Sequence, residues 1–401
     1  MKYAILLGDG MADYPIDALD GKTPLEAAHT PHMDEIARKG VGGLVRTIPQ
    51  GKSPGSDVAN LEILGYDSHR YLTGRAALEA ASMGIAMTED EVAFRCNLIT
   101  VEEGRILDHS AGHISTDEGR ALMEQIQKHL GSDRVRFHPG VSYRHLMVMR
   151  NGPDRMDAVP PHDVLGERAA DHLPQGPSSE EVRGLMANSV AILKDTEVNR
   201  NRIARGELPA TQIWLWGSGK ALQIPALRDR FGLSGGVISA VDLLKGIGIA
   251  AGLRVIEVPG ITGYLDTNYA GKAQYALSAL EELDFVYVHV EAPDEASHNG
   301  SLTDKIRAIE DFDEKVVGPV LQGMRAFGAF RLMVLPDHRT PVSLRTHTPE
   351  PVPVAIYTSD GKPDDMQAFS EPEAEKGSLR IETGNALLTF FFRSPETPEK
   401  A

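Results

Sequence analysis

The sequence predicts an α/β protein, built on a mostly parallel sheet with a smaller α+β domain inserted into it. Three observations carry that expectation. Short apolar runs stop abruptly at Gly, Asp or Pro; helical patterns separate those runs; and the middle of the chain changes to a mixture of longer strands and helices.

Tyr3 to Leu7 is the first apolar run and ends in Gly-Asp-Gly, as a buried parallel strand feeding a loop would. Phe285 to Val290 (FVYVHV) runs into Glu-Ala-Pro-Asp, and Leu332 to Leu335 runs into Pro-Asp-His. Between them Ile306, Ile309, Phe312, Val316 and Val320 recur at helical spacing, predicting a helix within Thr303 to Phe327. Val237 to Val258 reads as helix then strand, and Asp242, Lys245 and Arg254 interrupt it too often for a membrane span. In the middle, Val92 to Val101, Val135 to Phe137 and Tyr143 to Met149 read as strands. Ser115 to Leu130 reads as one amphipathic helix capped by Ser115 or Thr116. Prolines between 153 and 161 and between 174 and 177 mark long loops. The expected division is therefore a core over 1–75, an insert over 76–195 and the rest of the core over 196–401. The tail, 394–401, is expected to be disordered.

With 401 residues the chain can bury a sizeable core, and 41% hydrophobic with 24% charged residues matches a soluble globular protein. A net charge of −16 argues against nucleic acid or an anionic membrane surface as partner, but local Arg and Lys still allow an anionic substrate. The single cysteine, Cys96, excludes an intrachain disulfide and a cysteine zinc cluster. The opening MKYAILLGDGMADYP lacks a signal peptide's apolar stretch, so a cytoplasmic location is expected. Oligomeric state is not legible.

Acids and histidines collect just beyond the predicted strand ends: Asp9, Asp294, His298, Asp337, His338 and, in the following loop, His347. The carboxyl ends of parallel strands form the crevice where such residues meet. Asp294 and His298 stand one helical turn apart and share a face. Asp337 and His338, being adjacent, should point to different sides of their loop and suit two neighbouring ions. This mixture of carboxylate and imidazole favours Mn²⁺, Zn²⁺ or Mg²⁺, and two such ions could clamp a transferring phosphoryl group. Singly, each residue could equally be a turn former, a cap or a structural histidine. Ser56, in Pro54-Gly55-Ser56-Asp57, opens a short predicted helix. Unpaired N–H groups there favour a phosphate, and a metal could activate the hydroxyl as nucleophile, yet an ordinary N-cap serine has the same sequence. No Gly-x-Ser-x-Gly elbow surrounds it.

Six motifs, GDGMAD (8–13), TPLEAAHTPHMDEIARKG (23–40), PGSDVANLEILGYD (54–67), HVEAPDEASHNG (289–300), LPDHRTP (335–341) and THTPEPVP (346–353), run in order over nearly the whole chain. Together they resemble the archaeal-type cofactor-independent phosphoglycerate mutases of the alkaline-phosphatase superfamily. The resemblance implies an alkaline-phosphatase-like core and two divalent ions, Mn²⁺ first, with Zn²⁺, Mg²⁺ or Co²⁺ as alternatives. It implies that Asp9, Ser56, Asp337 and His338 hold one ion, and Asp294, His298 and His347 the other. It further implies that Ser56 carries a phosphoryl group between two hydroxyls of a small phosphorylated substrate, with Lys272 beside it. Without the match, Lys272 reads as an exposed helix lysine. The insert is expected to bind substrate through Asp108, His109, His113, Arg144 and Arg202, arginine being suited to phosphate and carboxylate.

One stretch departs from the family pattern. Asp108-His109-Ser110-Ala111-Gly112-His113 stands where archaeal-type mutases carry Asp-Arg-x-Ala-Gly-Arg, and it looks like a bacterial subgroup proposed to be homoserine kinases. The expected activity is interconversion of 3- and 2-phosphoglycerate, with the insert closing over the substrate. A homoserine-kinase-like phosphotransferase and a metal-dependent phosphatase are the alternatives. Trp214 and Ala221 break the one Walker-like stretch, around Gly217-Ser218-Gly219-Lys220.

Overall fold

The structure, a computed structural model, describes residues 1–393. The tail expected to be disordered lies outside the described residues. The chain divides into two compact units, one formed by residues 1–72 with those from 223 onward, the other by 73–222.

The first unit is built on an eight-stranded sheet. Its strands lie in the order Leu379–Ile381, Val41–Val45, Val352–Thr358, Phe330–Leu335, Lys2–Gly8, Phe285–Val290, Gly235–Ile238 and Arg254–Val255. Neighbours run parallel except Val352–Thr358, which is antiparallel to both of its partners. The central strand Lys2–Gly8 ends level with both neighbours, Gly8 opposite Val290 and Leu7 opposite Leu335. Every residue of Phe285–Val290 and Phe330–Leu335 is buried, as helices on both faces of a parallel sheet require. The apolar stripe of Ile309, Phe312, Val316 and Val320 packs against Val286, Val288 and Leu332.

That stripe belongs to two helices rather than one. Leu302–Phe312 and Gly318–Met324 are separated by a π turn, Asp313–Val317. Pro319 has no N–H to continue the α ladder, and the register widens just before it. The stretch expected to begin as a helix begins instead as the strand Gly235–Ile238, followed by the helix Asp242–Ala250 and the short strand Arg254–Val255. Val237 and Ile238 are β-branched and pair with Tyr287 and Val288. A continuous apolar run hides such a strand-to-helix change, because periodicity cannot separate the two when both are buried.

The second unit is a five-stranded antiparallel sheet around the long strand Glu91–Glu102. Arg144–Arg150 pairs with it on one side and Gln212–Lys220 on the other; Val135–Val141 lies beyond Arg144–Arg150, and Arg105–Asp108 folds back on its end. Helices Thr116–Leu130 and Ser179–Lys194 bury Leu122, Met123, Ile126, Met186 and Leu193 with Phe94, Leu98 and Trp214. Ser115 caps the first of these with Glu118 in a reciprocal box. The unit runs past residue 195 because Gln212–Lys220 completes its sheet, so the compact body closes at 222. Among the described residues no helix is long and apolar enough to cross a membrane.

Candidate active site

The three central parallel strands deliver acids to one edge of the first unit's sheet. Asp9 follows Lys2–Gly8 directly, Asp337 and His338 follow Phe330–Leu335, and Asp294 lies on the helix Ala292–His298 after Phe285–Val290. The loop after Asp9 is pinned from below: the Asp13 carboxylate meets the buried Lys305 Nζ at 2.8 Å, and Glu371 accepts from the Asp13 amide at 2.9 Å. Gly10 turns that loop with φ +61°, and a Cβ there would lie 2.5 Å from both Asp294 Oδ1 and Thr340 Oγ1. Only glycine meets both demands.

Ser56 is the first residue of the helix Ser56–Ile63, as expected, but its hydroxyl does not cap that helix. Ser56 Oγ lies 3.2 Å from His338 Nε2. The same His338 nitrogen is 3.5 Å from Asp9 Oδ1 and 3.5 Å from Asp337 Oδ2. Asp337 is held by the Gly10 amide (3.1 Å), the His338 amide (2.9 Å) and Asn60 Nδ2 (3.0 Å). Asp337 and His338 thus both turn toward Asp9. Beside them, His298 Nε2 meets Asp294 Oδ2 at 3.1 Å and His347 Nε2 at 2.9 Å, while His347 lies 3.5 Å from Asp294 Oδ1. His298 Nδ1 donates to the Arg345 carbonyl at 2.9 Å, which in a neutral ring leaves the Nε2 lone pair facing the cluster. The ligand atoms of Asp294, His298 and His347 lie within 4.8 Å of one another, as do those of Asp9, Asp294 and His338, and those of Asp9, His289 and Asp337.

Buried acids crowd this edge. Burial, then the charges of Asp337, Asp294 and Glu291, push the Asp9 carboxyl well above the carboxylate range. Burial alone would raise Asp294, but hydrogen bonds from His298 and His347 outweigh it and leave that group well below the usual value. Burial pushes Glu291 up to about 8 and draws Lys272 down to about 8. Lys272 is fully buried, not exposed, and its Nζ donates to the His289 carbonyl at 2.7 Å. Asp9 Oδ1 is buried without a hydrogen-bond partner. Concentrated acid, the unpartnered carboxylate oxygens Asp9 Oδ1 and Glu291 Oε2, and imidazole nitrogens facing inward fit divalent cations of the Mn²⁺, Zn²⁺ or Mg²⁺ class.

Sequence reasoning missed several members of this site. His289 Nε2 reaches Asp9 Oδ2 at 3.0 Å, and Tyr287 donates to Asn60, which in turn holds Asp337 and the Ser56 carbonyl. A signal existed: Tyr287 and His289 stand two apart in an otherwise apolar strand, so they share one face. Thr340 was overlooked within its own motif.

The second unit places the remaining expected residues less uniformly. Arg202 is buried, and its guanidinium donates to Glu118 (2.7 Å) and to the carbonyls of Leu208 (2.9 Å), Ala111 (2.8 Å) and Gly112 (3.2 Å). Asp108 Oδ1 accepts from the Ser110 amide, the Ser110 hydroxyl and the Gly112 amide. Burial acts to raise its pKa, but those bonds prevail and lower it. His113 is exposed with φ +50°. His109 instead joins a row that the sequence did not disclose. Arg144 lies over Tyr143, Tyr143 meets His109 (5.6 Å between centroids), His109 meets His162 (5.9 Å), His162 meets Trp216 (5.7 Å), and Arg95 stacks on Trp216 at 4.1 Å. Burial first, and then the charges of Arg75 and Arg144, pull the Arg95 pKa below its ordinary value even though Glu79 partners it. Three arginines and two histidines therefore sit together in this unit.

A sequence model of the family described as 2,3-bisphosphoglycerate-independent phosphoglycerate mutase matches residues 37–199. The mutase of that name from Methanosarcina acetivorans is 53% identical, over 97% of this chain and 98% of the relative. The chain belongs to this family. The mutase from Methanothrix thermoacetophila is 52% identical with the same coverage. Among solved structures, the cofactor-independent phosphoglycerate mutase from Thermoplasma acidophilum superposes with a TM-score of 0.70 at 26% identity, covering 98% of this chain and 99% of that one. A Pyrococcus horikoshii protein superposes at 0.82 with 28% identity, covering 97% of this chain and 96% of that one. Family membership thus joins the cluster around Ser56 to a mutase scaffold spanning the whole chain.

Proposed function

We propose that this protein interconverts 3-phosphoglycerate and 2-phosphoglycerate in the cytoplasm through a phosphoserine at Ser56. The observation that carries the proposal is Ser56 itself: a helix-opening serine whose hydroxyl is turned from its cap toward His338 and the buried acids. Asp9, Ser56, Asp337 and His338 would hold one divalent ion, and Asp294, His298 and His347 a second, Mn²⁺ before Zn²⁺, Mg²⁺ or Co²⁺. When bound, such ions offset the buried acids and stabilise charge on the transferring phosphoryl group. The chain's own part is positional. Ser56 Oγ accepts the phosphoryl group from one hydroxyl of the substrate and returns it to the other. The N-terminus of the helix Ser56–Ile63 favours the negative charge on that serine. Lys272, held by the His289 carbonyl, supplies a buried cation next to Glu291.

In the second unit, Arg75, Arg95 and Arg144 with His109 and His162 would bind the substrate's anionic groups. Asp108, bonded inside the Asp108–His113 turn, and Arg202, bonded to that turn and to Glu118 and Leu208, would shape the loop carrying His109. That commitment also weakens the homoserine alternative, whose ammonium group needs an acid such as Asp108 or Glu118 nearby, because Glu118 in turn is paired with Arg202 and Arg205. Every relative described above that carries an activity in its name is a mutase.

The test supplies Mn²⁺ with 3-phosphoglycerate in one reaction, and Mn²⁺ with homoserine and ATP in another. Formation of 2-phosphoglycerate in the first, with phosphate trapped on Ser56 by mass spectrometry, is the expected result. Homoserine phosphorylation without mutase turnover overturns the reading.

A further inference from the structure

Thr340 is fully buried between the two groups of acids and histidines. Its Oγ1 donates to Asp294 Oδ1 at 2.5 Å, and His338 Nδ1 lies 3.1 Å from Thr340 Oγ1. Its backbone is fixed on both sides, the amide donating to the Ala12 carbonyl at 3.1 Å and the carbonyl accepting from Lys305 Nζ at 2.9 Å. A hydroxyl has one hydrogen, and here that hydrogen goes to a carboxylate oxygen, which can only accept. Thr340 Oγ1 is then left with lone pairs toward His338, so His338 Nδ1 must be the nitrogen that carries hydrogen. In the neutral ring Nε2 is consequently bare, and it is this atom that faces Ser56 Oγ at 3.2 Å and the Asp9 and Asp337 carboxylates at 3.5 Å.

Resting on the metal-ligand assignment proposed above, we infer that Thr340 is a positioning residue joining the two metal clusters: its single hydroxyl fixes the His338 tautomer for one and aims Asp294 for the other. The side chain touches neither substrate nor reacting atoms. Its effect passes through a ligand on each side, so its loss disturbs both clusters at once. Supporting partners of this kind typically change metal affinity ten- to a hundredfold. The backbone of Gly10 packs closely against it: a Cβ at Gly10 would lie 2.5 Å from Thr340 Oγ1.

Two measurements test this, and neither depends on turnover. In metal-stripped wild-type protein, ¹⁵N-histidine spectra should show the His338 resonance, assigned by its loss in His338→Gln, as the Nδ1–H tautomer. An Nε2–H tautomer overturns the inference whatever reaction the protein catalyses. The second measurement is Co²⁺ titration followed by calorimetry and visible absorption. Thr340→Val should weaken both binding steps by about tenfold or more and alter the ligand-field spectrum, whereas Thr340→Ser should stay within about threefold of wild type. Wild-type Co²⁺ binding in Thr340→Val shows that the hydroxyl is dispensable, and equal impairment in Thr340→Ser shows that the loss is not the hydroxyl's; either result overturns the inference. If Thr340→Val fails to fold, the tautomer measurement on wild type still decides.

Discussion

The sheet edge of the first unit and the Asp108–His113 turn of the second are made from the same residue types, yet they use them in opposite ways. At the sheet edge the polar atoms face one another across short gaps: Asp9 Oδ1 has no hydrogen-bond partner, and His298 and His347 point Nε2 at Nε2. In the turn, Asp108 accepts three hydrogen bonds, and Arg202 donates two to the turn's carbonyls and two more to Leu208 and Glu118, all within the unit. Buried polar groups normally arrive at the second arrangement, because an unpaired one costs about 1–3 kcal/mol. Several uncommitted polar atoms gathered at one buried place therefore fit an ion or substrate, whereas the bonds around the turn serve architecture. The difference lies in hydrogen-bond satisfaction, not in residue type.

The largest effect should come from the uncommitted side. Ser56→Ala should lower kcat by roughly 10⁴-fold or more, since it removes the hydroxyl proposed to take up the phosphoryl group. Its thermal unfolding should match wild type, because the Ser56 hydroxyl caps no helix. Residual turnover within tenfold of wild type, measured with 3-phosphoglycerate, would break the contrast at its strongest point.

That contrast also explains what the sequence could and could not disclose. Asp9, Asp294, Asp337 and His338 were legible because each follows a recognisable apolar strand, and parallel strands bring their ends together. Lys272 read as a surface residue without the family motifs, since burial of a helix lysine depends on what packs over it. Arg202 and Asp108 could not be sorted from Arg144, because the partners that satisfy Arg202 lie as far away in sequence as Ala111. The Arg95–Trp216–His162–His109 row joins four separate segments and leaves no local trace. The strand Gly235–Ile238 was hidden in an apolar run that suited strand and helix alike.

Arg202→Met sharpens the comparison from the committed side. It removes donors from the Ala111, Gly112 and Leu208 carbonyls and from Glu118, and should cost about 2–4 kcal/mol of stability. Urea unfolding followed by tryptophan fluorescence reads this unit alone, because the only two tryptophans, Trp214 and Trp216, are both in it. Arg144→Met should do the reverse. Arg144 is exposed, so stability should hardly move, while kcat/KM should fall roughly ten- to a hundredfold through loss of a charge-assisted contact worth about 1.5–3 kcal/mol. If Arg202→Met spares stability and Arg144→Met spares kcat/KM, the division into committed and uncommitted groups fails.

The smallest effect concerns two histidines that titrate in opposite directions. Hydrogen bonding to Asp294 raises His298 to about 9, so in the metal-free protein its charged form is favoured and its stabilisation is lost as pH rises toward 9. Burial lowers His145 to about 3, and no acid stands by to offset it. Its Nδ1 accepts from the Gly140 amide at 3.0 Å, and its Nε2 is buried without a partner. Between its ordinary value of 6.5 and about 3 the unfolded chain binds a proton that the folded ring refuses. Stability should therefore be fully present above pH 6.5 and should fall as the solution is acidified, by about 1.4 kcal/mol per pH unit from this residue. His145→Gln, which cannot titrate, should flatten the stability profile by that slope between pH 6.5 and 5, read again through Trp214 and Trp216. Parallel profiles for wild type and His145→Gln would mean that the ring takes up a proton in the fold, and that the second unit's core tolerates an unpaired charge which its fully bonded turn gives no reason to expect.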